Sequence, residues 1–141
     1  NSYSESLVNG DAVAVIGWSG DLFILKSENK GKFDFAIPES GGTLWSDNMM
    51  IPSTSAHKKN AESLINYYYE PEVAAQVAAY VNYICPVAEA QPFLEKIDPA
   101  LAKSPYIFPD DATLAKVKVF RQLNDDETTK YQAAFDAAIG N

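Results

Sequence analysis

Two aromatic–carboxylate pairs recur in the sequence: Trp18 with Asp21 in IGWSGD, and Trp45 with Asp47 in LWSD. An organic ammonium suits such a pair. The ring face attracts the cation by about 0.5–2 kcal/mol, more as water is excluded. A hydrogen bond from the ammonium to the carboxylate adds roughly 1.5–3 kcal/mol. Each methylene buried against the indole contributes about 0.8 kcal/mol more. Two pairs therefore fit a flexible molecule with several ammoniums on alkyl spacers. A third candidate, Tyr83, follows a helix in a loop, where a phenol can reach a cleft and donate a hydrogen bond. Each residue also has a purely structural reading. A tryptophan in an apolar run belongs most often to a core, Asp21 can favour a helix dipole, and Asp47 can accept from a backbone N–H.

The elements that must position these groups follow from the pattern. SYSESLVNGD reads as a helix (Ser4 to Val8) stopped by Asn9-Gly10. AVAVIGW reads as a buried strand, SGDLFILKS as a helix with Ser19 as its N-cap, and FDFAIP as a second strand. Gly41-Gly42 breaks the chain before TLWSDNMMIP, a third strand. In a strand, Trp45 and Asp47 project to one face, and open α/β sheets bind ligands at the carboxyl ends of their strands. Asn60 reads as the cap of a helix with Leu64, Tyr67 and Tyr68 on its apolar stripe; of Tyr67-Tyr68-Tyr69, two should face the core and one solvent. Pro71 opens the next helix, PEVAAQVAAYV. Asp98-Pro99 is a cap and first-turn proline, Asp110 or Asp111 caps ATLAKVKVFRQL, and DDETTKYQAAFDAAIG is a last helix. Alternating helices and strands define an α/β layer, but three or four strands do not complete a sheet, which suggests part of a larger protein. The start, NSYSESL, has neither an initiator Met nor a signal peptide, consistent with a fragment or trimmed product.

Composition narrows the function. The 141 residues are 47% apolar and 21% charged, ordinary for a folded domain. A net charge of −8, from 19 acidic and 11 basic residues, argues against a nucleic-acid partner. One cysteine, Cys85, allows no internal disulfide, and with one histidine, His57, gives little basis for a zinc or Cys/His catalytic site. Cys85 reads as a buried apolar residue and His57 as a surface one. No metal site or cofactor is expected.

The segments NGDAVAVIGWSGD, FAIPESGGTLWSDNMMIPSTSAHKKNAESLINYYYEPEVAAQVAAYVNY and IFPDDATLAKV, in that order and spacing, resemble the C-terminal part of the spermidine/putrescine-binding proteins. These are extracytoplasmic solute receptors of polyamine ABC importers. The resemblance implies a periplasmic-binding-protein-like (type II) two-lobe α/β fold that closes on its ligand. Residues 1–42 would belong to the second lobe, 43–100 to the hinge crossing and first lobe, and 101–141 to helices returning toward the second. It also implies that Trp18, Asp21, Trp45, Asp47 and Tyr83 line the ligand cleft. The implied partners are a polyamine, ABC permease subunits and the missing N-terminal portion of the same protein. The implied location is periplasmic or otherwise extracytoplasmic, with lipid anchoring open. Two other readings stand beside it. One is a receptor of the same fold for thiamine, a metal or an anion, which would want basic groups in the cleft. The other is a hydrolase using Asp21 and Asp47 as acid and base. A pure interaction module is the fourth possibility.

Overall fold

The backbone hydrogen bonds of the first turn-and-helix unit explain why the chain folds back so early. In the computed structural model, which describes residues 2–140, α1 (Ser2–Asn9) ends at Gly10. Gly10 N–H donates to Leu7 O and Asp11 N–H to Ser6 O, at 3.3 and 2.9 Å. This is the stop expected from Asn9-Gly10. After an irregular stretch, α2 (Ser19–Glu28) begins with Trp18 in extended backbone as its N-cap; Ser19 is its first helical residue, not the cap. Leu7 of α1 and Leu22 and Leu25 of α2 form a buried cluster, against which Tyr3, Val15, Phe33 and Phe35 pack.

The sheet is much smaller than the apolar runs predict. Among the described residues only β1 (Gly42–Leu44) and β2 (Val117–Val119) pair, in parallel, with Gly42 opposite Val117. The expected strands at 12–17 and 33–38 have no strand partner, and Val13 and Ile16 are fully exposed. The 12–17 run is apolar throughout, as in strands buried on both faces, whereas 33–38 alternates, with Phe33 and Phe35 packed on the first cluster and Asp34 exposed; among the described residues neither has a strand beside it. The third expected strand stops at Leu44, so Trp45 lies just past its end. Val117–Val119 was expected within a helix running to Leu123. That helix is only α7 (Asp111–Leu114), and pairing with β1 claims the β-branched Val-Lys-Val that follows.

The remaining elements are helices. α3 (Lys58–Tyr68) begins three residues earlier than an Asn60 cap would place it, after His57. Its expected stripe is wrong: Leu64 and Tyr67 are exposed, as is Tyr69 beyond it, and only Tyr68 of the three tyrosines is half-buried. α4 (Pro71–Val81) has its proline in the first turn as expected, and stops at Asn82 in left-handed backbone, φ 57°. A single 3-10 turn (Ala88–Ala90) leads into α5 (Gln91–Ile97) and α6 (Pro99–Ala102). Asp98 caps α6 by accepting from the N–H of Ala100 and Leu101 at 2.9 and 3.0 Å. Small side chains on α4 (Ala74, Ala75, Ala78) allow close approach, and Leu94 and Ile107, both fully buried, fill the second cluster with Cys85, Val87, Ala90 and Ala102. Burial pushes the Cys85 thiol up, so this cysteine is a packing residue rather than a reactive one. α8 (Asp125–Ile139) closes the chain with an Asn124/Glu127 capping box.

Gly41 sets the path from residues 33–38 into β1. Its φ is +103°, and a Cβ there would lie 3.0 Å from Lys116 O, the carbonyl that accepts from Gly42 N–H. Gly41→Ala should therefore lower stability by about 1–3 kcal/mol. Urea unfolding of the intact protein checks this, and Gly10→Ala, where φ is also positive but no atom lies within 4 Å, separates backbone strain from the added clash.

Candidate functional site

Asp21 is held at the first turn of α2, where the helix dipole favours an anion. Tyr3 of α1 donates its phenol proton to Asp21 Oδ2. Tyr83 donates to Asp21 Oδ1 at 3.3 Å. Trp18 N–H in turn donates to Tyr3 Oη at 3.4 Å. The two phenols approach from chain positions 18 and 62 residues away, so the carboxylate ties α1, α2 and the loop after α4 together.

The left-handed turn at Asn82 explains how Tyr83 arrives. Asn82 N–H caps Ala78 O at 3.0 Å and its side-chain amide donates to Tyr80 O at 3.2 Å. Asparagine tolerates this backbone, and the turn ends α4 so that the next residue leaves the helix. The ring of Tyr83 then lies against Gly20. A Cβ on Gly20 would fall 2.6 Å from Tyr83 Cδ2 and 2.7 Å from Cζ. A Cβ on Gly17 would fall 2.8 Å from Leu22 Cδ2 and 3.0 Å from Tyr3 Cε2. Gly20 thus makes room for Tyr83, and Gly17 for both Leu22 and Tyr3.

The aromatic side of the site is continuous. Trp18 meets Trp45 edge to face, with centroids 5.2 Å apart and planes at 75°. Trp45 meets Tyr83 in the same manner at 6.0 Å and 68°. Neither indole is a core residue: Trp18 is 51% and Trp45 40% exposed. Both line an open groove of about 1000 Å³ whose walls also include Val13, Ile37, Leu44 and Phe120. Burial pushes the Tyr83 phenol up, and the negative Asp21 that holds its proton adds to this, with Tyr3 contributing less.

Four of the five sequence candidates therefore come together: Trp18, Asp21, Trp45 and Tyr83. Asp47 is exposed, two residues beyond Trp45 and outside any strand, and among the described residues it makes no hydrogen bond or ion pair with the other four. The strand geometry expected to set Trp45 and Asp47 side by side is absent there. Tyr3 was missed. Its only local signal is an aromatic within a short polar helix, and its partner lies 18 residues away.

A groove walled by exposed indoles, one of which meets the Tyr83 ring that donates to the Asp21 carboxylate, is the equipment of a small-molecule binding protein. The chain belongs to the bacterial extracellular solute-binding protein family, whose pattern it matches over residues 1–109. It is similar to the spermidine/putrescine-binding periplasmic protein of Escherichia coli, 32% identical over 114 residues, which are 81% of this chain and 30% of that one. The protein of the same description in Salmonella typhimurium is 31% identical over 116 residues, 82% of this chain and 31% of that one. A putrescine/cadaverine-binding protein of Pseudomonas aeruginosa is 27% identical over 129 residues, 88% and 36%. The chain thus spans about a third of the length of the curated relatives it matches. Its helix-rich structure with a small parallel sheet fits a periplasmic-binding-protein-like fold.

Two outcomes test this geometry. Gly20→Ala should expel the Tyr83 ring and cost about 1–3 kcal/mol by overpacking. Adding Tyr83→Ala should make the glycine substitution nearly neutral, so a thermal-unfolding double-mutant cycle reads the clash directly. Second, an ultraviolet titration should find Tyr83 ionising above an ordinary tyrosine, and Asp21→Asn should remove only part of the shift, because burial is the larger cause. The folded value lies above the unfolded one, so this contribution to stability is complete below about pH 10 and is lost as pH rises through the folded value.

Proposed function

We propose that this chain is part of a non-catalytic extracytoplasmic receptor for a polyamine, putrescine or spermidine, serving an ABC importer. The observation that carries the proposal is the aromatic row Trp18–Trp45–Tyr83, open to solvent on its indoles and bonded through Tyr83 to the Asp21 carboxylate. Ring faces and a fixed anion suit an alkyl ammonium; Lys32 and Asp34 also line the groove, away from the aromatic row in sequence. Asp47, exposed beside Trp45 in sequence, is a second carboxylate for the far ammonium. The relatives named for spermidine, putrescine and cadaverine support the ligand class.

In this reading the protein has two lobes, with residues 1–42 in the second, 43–100 crossing into the first, and the helices after Ala100 returning. Two separate buried clusters, one around Leu7, Leu22 and Leu25 and one around Leu94 and Ile107, lend it support. The exposed apolar stretch of Val13 and Ile16 would be covered by the N-terminal portion that the resemblance implies. The remaining partners are the permease subunits, and the location is the periplasm or the outer face of the cell membrane.

Calorimetric titration of the intact protein with putrescine and spermidine tests the ligand. Asp21→Asn and Asp47→Asn should each weaken binding by about 10- to 100-fold, the range of a lost charge-assisted hydrogen bond. Trp45→Ala should weaken it by a similar factor. Unchanged affinity in Trp45→Ala and Asp47→Asn removes the aromatic–carboxylate recognition, and displacement by thiamine or phosphate rather than by amines assigns a different ligand to the same fold.

A further inference from the structure

We propose that Phe120 is a ligand-contacting, specificity-determining residue of the groove: its phenyl packs on an unbroken run of methylenes, so the site favours a simple diamine over a triamine with an amine in mid-chain. The inference rests on the amine-receptor reading and adds to it a residue and a ligand preference that the reading leaves open.

The register of the small sheet places the residue. β1 and β2 run in parallel, and their last pair is Leu44 opposite Val119. The next residue of each chain segment is aromatic: Trp45 after Leu44 and Phe120 after Val119. Each thus stands one residue past the carboxyl end of its strand, where parallel sheets bind ligands. Both line the groove that Trp18 also walls. Phe120 is 81% exposed, so its ring contributes little to the folding of this chain. The backbone that carries it is nonetheless held on both sides. Before it, Val117–Val119 is paired with β1. After it, Arg121 grips Glu127 with two bonds, Nη1 to Oε2 at 2.9 Å and Nη2 to Oε1 at 2.6 Å. Glu127 in turn belongs to the capping box of α8. A bidentate pair of this kind fixes geometry as well as adding strength. An exposed ring on a fixed backbone is preorganised for a partner, which lowers the entropy lost on binding.

The chemistry of a phenyl decides what it prefers. It offers apolar surface to methylenes and has neither a hydrogen-bond donor nor an acceptor. A mid-chain ammonium set against it gains the attraction of the ring face. It also exchanges water for a neighbour that cannot accept its N–H groups, and an unmade bond of a charged group costs more than an exposed ring returns. An unbroken alkyl spacer carries no such cost. Phe120 therefore adds to the attraction for methylenes that the indoles supply and selects against polarity between the two ends of the ligand.

The test is calorimetric titration of the intact protein with putrescine and with spermidine, paired with thermal unfolding of each variant. The native protein should bind putrescine the more tightly. Phe120→Ala should weaken putrescine about tenfold, as loss of about two buried methylene contacts does. Its thermal midpoint should stay at the native value, as for a surface substitution. Phe120→Leu keeps an apolar face and should hold putrescine affinity within about threefold of native. Phe120→Asn supplies an acceptor, so it should lose affinity for putrescine but not for spermidine. Native affinity for both amines in Phe120→Ala overturns the proposal and leaves the receptor reading standing. So does a lowered midpoint with unchanged affinity, which marks the ring as cover for the fold. Equal losses of putrescine and spermidine in Phe120→Asn overturn the selectivity. If the native protein binds neither amine, the receptor reading itself fails and the role of Phe120 falls with it.

Discussion

The Asp21 carboxylate is the constraint on which the candidate site depends. Two buried clusters hold most of the folded chain: a small one around α1 and α2, and a larger one around α4, α5 and α6. They meet in few places. One is the group of edge-to-face rings around Tyr106, which contacts Phe23 and Phe35 and whose hydroxyl donates to Phe35 O at 3.4 Å. Another is Asp21, which accepts from Tyr3 of the first cluster and from Tyr83, two residues before Cys85 of the second. Without a carboxylate at this point, the phenols would lose the acceptor that sets the distance between the indole of α2 and the ring beyond α4. Hydrogen bonds to a charged group are about twice as strong as neutral ones, which suits a joint made by few atoms.

Gly20 of IGWSGD follows from that joint. The Tyr83 ring that reaches Asp21 lies against the first turn of α2, and residue 20 is where it makes its closest approach. Glycine inside a helix costs about 1 kcal/mol relative to alanine. The cost is accepted at Gly20 because any side chain there would occupy the space of the ring. The tryptophan has a different reason. Its backbone is the N-cap and needs no particular side chain, and its indole is half in solvent. An indole left that exposed contributes little to folding, so its place beside a second exposed indole is better explained by the groove that both line.

Much of this was legible in the sequence where the physics is local. Pro71 in the first turn of α4, Asp98 capping α6, the Gly10 stop and the burial of Cys85 are each decided within a few residues. Four of the five candidate residues also meet in space, because aromatic–carboxylate pairs at strand and helix ends carry a chemical signal. The strands at 12–17 and 33–38 were not legible, since an apolar run reports that a segment must be buried and not that its partners are present. The helix expected through Val117–Val119 failed for the opposite reason: a distant partner, β1, overrode a local helical pattern. Tyr3 and the purpose of Gly20 were hidden because each is defined by contact with a residue 18 or 63 positions away in the chain. The Trp45–Asp47 pairing rested on strand geometry that ends at Leu44.

In the proposed amine-receptor reading, the edge-to-face contact between Trp18 and Trp45 stands where the ligand's methylenes would lie. An edge-to-face aromatic pair is worth about 0.5–1.5 kcal/mol beyond the area it buries. Four methylenes placed against the same faces contribute about 3 kcal/mol, and an ammonium over a ring adds about 0.5–2 kcal/mol. The ligand therefore outweighs the contact it displaces even before the carboxylate is counted. A chain without the ammoniums keeps the methylene term but loses the cation's attraction and its hydrogen bond to Asp21. The ring contact thus acts as a low threshold: it covers apolar surface while the groove is open, and it yields most readily to a molecule that is both alkyl and cationic. In that reading, the combination rather than either property alone is what an aromatic row beside a held carboxylate would select.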